Sequence, residues 1–160
     1  MEFDQDVFCV EKVTSPTSPY PGLGKLVKYN GTEAVVTVPE GVVEIGSTAF
    51  AENCCVEEVI LPESTRSIER GAFADCKNLK KVVFPQRLAV IDSIAFAGCT
   101  ELDQADVPDS VGFVGETAFI DCKKLQESWR ARGLCILCGH KLNKGLFKNT
   151  CPRCRTVFKK

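Results

Sequence analysis

The stretch "AFADCKNLKKVVFP", Ala72 to Pro85, decides how this chain folds. It returns 23 residues later as "AFAGCTELDQADVP", Ala95 to Pro108, and stands 23 residues earlier as "AFAENCCVEEVILP", Ala49 to Pro62. Pro39, Pro62, Pro85 and Pro108 mark the period. Phe50, Phe73, Phe96 and Phe119 form one column, each preceded by Ala49, Ala72, Ala95 or Ala118. Ile45, Ile68, Ile91 and Val114 form a second, and Val56, Leu79, Leu102 and Leu125 a third. Three residues before each proline stand Val36, Val59, Val82 and Ala105, and one before it Val38, Leu61, Phe84 and Val107. A fixed period in this range means a solenoid, because one such coil cannot bury its own apolar face and equivalent side chains must cover one another.

The pairs three and one before proline alternate with polar or variable residues. That is a short strand with one buried face. One strand per coil, stacked, predicts a parallel sheet, and proline ends each strand because it has no N–H to donate. The "AF" segment that follows is long enough for about one helical turn. Three residues after each Phe stand Asn53, Cys76, Cys99 and Cys122. A small side chain there can hydrogen-bond the turn's backbone from inside the coil, so these thiols read as structural and buried, not nucleophilic. Cys54, beside that column, reads as exposed, which fits a reducing compartment.

This pattern resembles the bacterial BspA-type leucine-rich repeats. "VPEGVVEIGSTAFAENCCVEEVILP", Val38 to Pro62, carries the likeness, which covers about Ala34 to Leu125. Thr65, where Val is usual, and Gly112-Phe113 depart from it. The resemblance implies an α/β fold of right-handed, curved leucine-rich-repeat coils with short helical turns. It also implies a recognition role, exercised through the concave sheet face. The outward positions of that face are Thr37, Ile60, Val83 and Asp106, with Val35, Glu58, Lys81 and Gln104. Val35, Ile60 and Val83 would form an apolar stripe, the mark of a protein contact site.

Both ends need cover. Asn30-Gly31 is a strong two-residue hairpin signal and predicts that Lys25–Tyr29 pairs with Ala34–Val38 as an N-terminal cap. Asp6–Val13 offers a further strand, and "TSPTSPYPGLG", Thr14 to Gly24, a connecting loop. At the other end the repeat breaks into "CILC" and "CPRC", Cys135/Cys138 and Cys151/Cys154. Two such knuckles aim four thiolates at one point and complete a tetrahedral sulfur shell suited to one structural Zn²⁺. Redox chemistry would use one exposed pair with a low-pKa thiol rather than two matched pairs. "CGHKL" with "CPRC" also resembles the zinc-ribbon family over Cys135–Phe158, with Arg155 where that family often has Gly. His140 reads as a solvent-facing loop residue rather than a ligand. The division expected is 1–33 cap and loop, 34–128 solenoid of about four coils, and 129–160 zinc ribbon.

Charge separates these parts. The first 128 residues hold all 21 acidic residues against 11 basic ones, and residues 129–160 hold nine Lys/Arg and no acid. Nucleic-acid binding through Lys141, Lys144, Lys148, Arg153 and Arg155 is therefore the alternative to protein recognition, with Trp129, Phe147 and Phe158 as possible stacking rings. Trp129 reads first as packing at the junction. The eight residues Gln126 to Gly133 read as a tether that lets the basic ribbon fold back on the acidic body. No Gly-rich phosphate loop, nucleophile–base motif or spaced carboxylate pair is visible, so the expected function is non-enzymatic. The acidic N-terminus "MEFDQDVFCV" lacks the basic and apolar runs of a leader, and no apolar run reaches membrane-span length, giving a cytoplasmic expectation. Cell-surface or secreted placement is the alternative should a leader precede this sequence.

Overall fold

The structure, a computed structural model, describes residues 6–13, 24–142 and 151–154. The chain runs through β1 (Phe8–Lys12), β2 (Gly24–Tyr29), β3 (Val35–Thr37), β4 (Val42–Ile45), β5 (Glu58–Ile60), β6 (Ser67–Ile68), β7 (Lys81–Val83), β8 (Val90–Ile91), β9 (Gln104–Ala105) and β10 (Phe113–Val114), and then α1 (Lys123–Ala131). Each coil thus supplies two short strands, not one. Strands β3, β5, β7 and β9, which precede the prolines, form a four-stranded parallel sheet. Strands β4, β6, β8 and β10, which follow them, form a second sheet that β2 and β1 extend in the order β1-β2-β4-β6-β8-β10.

Register restates the period. Val36 lies beside Val59, Val59 beside Val82, and Val82 beside Ala105. In the other sheet Ile45, Ile68, Ile91 and Val114 are neighbours in turn. A residue and its equivalent one coil on are therefore a strand spacing apart. The phenylalanine column shows the same spacing, with ring centroids 4.7 Å apart for Phe50–Phe73, 4.9 Å for Phe73–Phe96 and 5.2 Å for Phe96–Phe119. The last two pairs are within 3° of parallel. Strand spacing sets this near-parallel stack, since free aromatic pairs favour offset or edge-on contact.

The "AF" segments are turns, not the helical turns expected. Their backbones bond from coil to coil, with Phe50 N–H to the Ala72 carbonyl at 2.7 Å and Phe73 N–H to that of Ala95 at 2.7 Å. Glu52, Asp75, Gly98 and Asp121, equivalent by the repeat, all take left-handed φ between 57° and 72°. Thr48, Gly71 and Ile94 add a second such residue to three of the coils, and these positions reverse the chain before a helix can propagate. The Asn/Cys column closes these turns from inside. Cys76, Cys99 and Cys122 donate their thiols to the carbonyls of Phe50, Phe73 and Phe96 in the preceding coil, at 3.0–3.1 Å. Burial pushes the Cys76 thiol up to about 12. In the first coil Asn53 accepts from the N–H groups of Cys55 and Val56 and donates to the Gly31 carbonyl. Thr65, the departure from Val, is fully buried and satisfies its hydroxyl on the Val42 carbonyl at 3.0 Å.

The N-terminal cap differs from the expected hairpin. β2 pairs antiparallel with β1 and parallel with β4, while β3 joins the other sheet. Asn30-Gly31 therefore carries the chain between sheets rather than closing a hairpin. Asn30 N–H bonds the Val7 carbonyl, and the Gly31 carbonyl takes the Asn53 amide. β2 acts as a shortened coil: Leu26 lies beside Ile45, and Tyr29 stacks on Phe50 at 4.8 Å, with Phe8 on its far side at 5.1 Å.

At the other end Gln126–Gly133 is not a tether. α1 begins at Lys123 and crosses the expected boundary at 128/129. Its buried residues, Leu125 and Trp129, are four apart and face the last coil. Trp129 is fully buried and meets Phe119 edge-on at 5.0 Å, closing the aromatic column as the junction reading expected.

Candidate interaction face and four-thiol centre

The eight outward residues expected on the recognition face do project from the four-stranded sheet. Val36, Val59, Val82 and Ala105 are buried beneath it, while Val35 is 56% and Val83 37% exposed. Thr37, Gln104 and Asp106 are exposed, and Glu58, Ile60 and Lys81 half-buried. The register splits them into two rows. Thr37, Ile60 and Val83 lie side by side, and Val35 lies beside Glu58, then Lys81 and Gln104. Val35 is thus diagonal to Ile60, and the directly adjacent apolar pair is Ile60 with Val83. Lys81 bonds Glu58 at 2.8 Å, tying the polar row together.

α1, which the reading of the repeat did not anticipate, walls one end of this face. Val83, Gln104 and Asp106, with Lys81, meet Ser128 and Arg132 across a groove of about 360 Å³. Arg132 reaches Asp106 at 2.7 Å across its mouth. Phe84, in contact with Phe96, belongs to the same wall. The signal for α1 was present: Cys122, Leu125 and Trp129 fall at helical spacing.

The four-thiol centre follows from how α1 stops. Gly133, at φ +69°, ends the helix, and a single antiparallel bridge, Leu134 to Lys141, turns the chain back. Within it Gly139 N–H bonds the Cys135 carbonyl and Cys135 N–H the His140 carbonyl, both at 2.8 Å. Gly139 takes φ +67°, and a Cβ there would lie 2.8 Å from the Trp129 ring. This glycine therefore lets the first knuckle close against the capped end of the solenoid.

The sulfurs of Cys135, Cys138, Cys151 and Cys154 all lie within 4.8 Å of one another. Two pairs that run between knuckles, Cys135–Cys154 and Cys138–Cys151, each stand at 3.5 Å. A tetrahedral shell with metal–sulfur bonds of about 2.3 Å has sulfur–sulfur edges of about 3.8 Å, so the cluster could hold one metal ion. Cys135, Cys138 and Cys151 are fully buried. Hydrogen bonding from the Cys138 thiol, then from the N–H groups of Leu137 and Cys138, holds Cys135 down at about 5 against burial. Cys138, as the proton's holder, is pushed up.

His140 lies outside this cluster. It is half-buried, with Nδ1 3.7 Å from an Asp109 carboxylate oxygen, and burial together with Arg153 holds its pKa below the ordinary value. Arg153, between Cys151 and Cys154, donates to the Pro108 carbonyl at 3.2 Å. These contacts seat the four-thiol unit on the last coil. Of the residues proposed for nucleic acid, Lys141 is exposed and Arg153 faces the solenoid. Lys144, Lys148 and Arg155, with Phe147 and Phe158, lie outside the described residues.

Among the described residues no helix is long and apolar enough to cross a membrane. The T. pallidum leucine-rich repeat protein is similar in structure, with a TM-score of 0.63 at 26% identity over 78% of this chain and 69% of that one. A leucine-rich cell surface protein of Faecalibacterium prausnitzii gives 0.60 at 29% identity over 72% of this chain. This chain spans only 30% of that protein's length. A leucine-rich repeat protein of Bacteroides capillosus gives 0.56 at 30% identity, over 61% of this chain and 79% of that one. No curated protein matches. A family model described as "BspA type Leucine rich repeat region (6 copies)" matches residues 31–129, which leaves the four cysteines outside the match. With that match over more than half its length, the chain belongs to the BspA-type leucine-rich-repeat family.

Proposed function

We propose that this is a non-enzymatic protein-recognition module whose contact surface is the face of β3, β5, β7 and β9, closed at one end by a zinc-bearing cap. The observation that carries this reading is the adjacent apolar pair Ile60 and Val83, with Val35 diagonal to it, among polar residues of the sheet face and running into the groove under α1. An apolar residue gains nothing by facing water, and a groove rimmed by Lys81, Asp106 and Arg132 adds polar groups that orient a partner. The thiols Cys54 and Cys55, exposed and half-buried, favour the cytoplasm.

The double variant Ile60→Lys, Val83→Glu is the test. It should abolish capture of the protein partner while leaving the melting temperature within about 2 °C, since surface changes shift stability by about 0.5 kcal/mol at most. A clear fall in melting temperature would mean that these side chains belong to the core. Retained capture would move recognition off this face.

The four thiols fit one Zn²⁺ held by Cys135, Cys138, Cys151 and Cys154. When bound, the ion would supply cross-linking charge and no chemistry, because a shell of four protein ligands leaves no place for water or substrate. The chain's own residues do the positioning: Gly139 admits the knuckle against Trp129, and Arg153 fastens the other to Pro108.

Nucleic-acid recognition is the weaker reading, because Arg153 and Arg132 are engaged with the solenoid. The intact protein should bind generic DNA or RNA no tighter than about 10⁻⁵ M near physiological salt. Submicromolar binding with a steep salt dependence, lost on replacing Lys141, Lys144 and Lys148, would put nucleic acid first.

A further inference from the structure

Among the described residues, three of the sheet edges are guarded. β1 carries a bulge between Cys9 and Val10 and ends in exposed Glu11 and Lys12. β9 lies beside α1, with Asp106 tied to Arg132. β10 is only two residues long. β3 has none of these devices. It is the terminal strand of its sheet, because β2 departs to the other one. Its sequence, Val35-Val36-Thr37, holds no charge, no proline and no bulge, and Val35 is 56% exposed. Natural edge strands ordinarily carry such protection.

The direction of its backbone follows from the pairing. Glu58 N–H bonds the Ala34 carbonyl and Val38 N–H the Ile60 carbonyl, so residues 34, 36 and 38 turn their polar backbone groups toward β5. Those of Val35 and Thr37 then point to the open side, since successive residues alternate along a strand. A groove of about 300 Å³ runs along that side, lined by Val7, Phe8, Tyr29, Glu33, Val36 and Thr37 together with Val35. Val7, Phe8, Val35 and Val36 make its apolar part, and Tyr29, Glu33 and Thr37 bring polar atoms. Glu33 is its one charged side chain; the Tyr29 hydroxyl donates to its carboxylate and holds its pKa down, so the charge persists.

We propose that the open edge of β3 is a strand-addition site for an extended polypeptide segment that alternates apolar and basic residues. The backbone groups of Val35 and Thr37 supply the ladder. Side chains of the added strand that turn inward meet Val7, Phe8 and Tyr29. Basic side chains answer Glu33 and an acidic body, in which 21 carboxylates face 11 basic residues over the first 128 positions. Main-chain bonds give affinity in this mode, and alternate side chains give selectivity. The site adds to the face reading through the same sheet but does not use Ile60 or Val83, so the two can fail separately.

The probe is an acetylated seven-residue peptide of alternating lysine and valine, titrated into the full chain by calorimetry, with amide shifts of Val35 and Thr37 followed by nuclear magnetic resonance. Three changes should each weaken binding about tenfold: N-methylation of the peptide amides that face β3, glutamate in place of its lysines, and Thr37→Pro in the protein. Phe113→Ala, at an exposed position on β10 at the far edge of the other sheet, should leave it unchanged. Should Thr37→Pro fail to fold, the N-methylated peptide decides alone. Equal binding of the methylated peptide would reduce the effect to charge attraction and overturn the proposal. No binding would overturn it as well. Concentration-dependent dimers that Thr37→Pro abolishes, with no peptide affinity, would make a second copy the occupant instead.

Discussion

Phe96→Ala is expected to lower the unfolding free energy by about 3–5 kcal/mol, read from urea denaturation followed by circular dichroism. Phe96 stands in the middle of the aromatic column, fully buried, with Phe73 and Phe119 stacked on its two sides and Phe84 edge-on at 5.8 Å. Its coil cannot collapse into the space left behind. The strand ladders fix the distance to the coils above and below, and Phe96 N–H is bonded to the Ala118 carbonyl at 2.8 Å. A cavity thus persists, and rigid surroundings place the cost at the high end of the range. Phe113→Ala is the control: that ring is 53% exposed, and its loss should cost about 0.5 kcal/mol or less. A loss below about 1 kcal/mol at Phe96 would show that the column relaxes freely and that the coils are not held in register as described.

The columns were legible because the repeat holds a strict period through Pro39, Pro62, Pro85 and Pro108. The apolar members of the columns named from it are buried, Phe50 through Phe119 and Cys76 through Cys122 among them, except Val107, which is half-buried where the coils give way to α1. What the period hid lies where it fails or is too brief. The second sheet was missed because β6, β8 and β10 are two residues long and show no alternation, although the Ile45–Val114 column runs through it. The first coil was missed because its spacing is compressed: Leu26 precedes Ile45 by 19 residues and Tyr29 precedes Phe50 by 21. Asn30-Gly31 then suggested a hairpin on local grounds. Tertiary bonds to Val7 and Asn53 decided otherwise, with β2 extending the larger sheet beside β4. The four sulfurs were legible from spacing alone, but their seat on Trp129 and Pro108 was not, because no sequence rule relates a knuckle to a neighbouring coil.

That seat makes the zinc reading testable with an internal reporter. Purified protein should carry about one zinc per chain, and Cys138→Ser should carry almost none after gel filtration, since a structural site's affinity depends on its full ligand set. Trp129, the chain's single tryptophan, senses the loss. Its ring meets Phe119 edge-on and lies close against Gly139. Removing the ion leaves the four-thiol segment with too few buried side chains to stay folded, so Gly139 should lift away and the fluorescence shift to the red. The coils should keep their circular dichroism, because the ladders of both sheets pair without any residue of the four-thiol segment. A chelator added to the parent protein should reproduce both results, and zinc should reverse them. Unfolding of the whole chain on chelation would make the cap a foundation of the solenoid rather than a lid. Full zinc in Cys138→Ser would remove that cysteine from the ligand set. Disulfides among the four cysteines in fresh protein would replace the metal with a covalent staple, and with it the cytoplasmic placement.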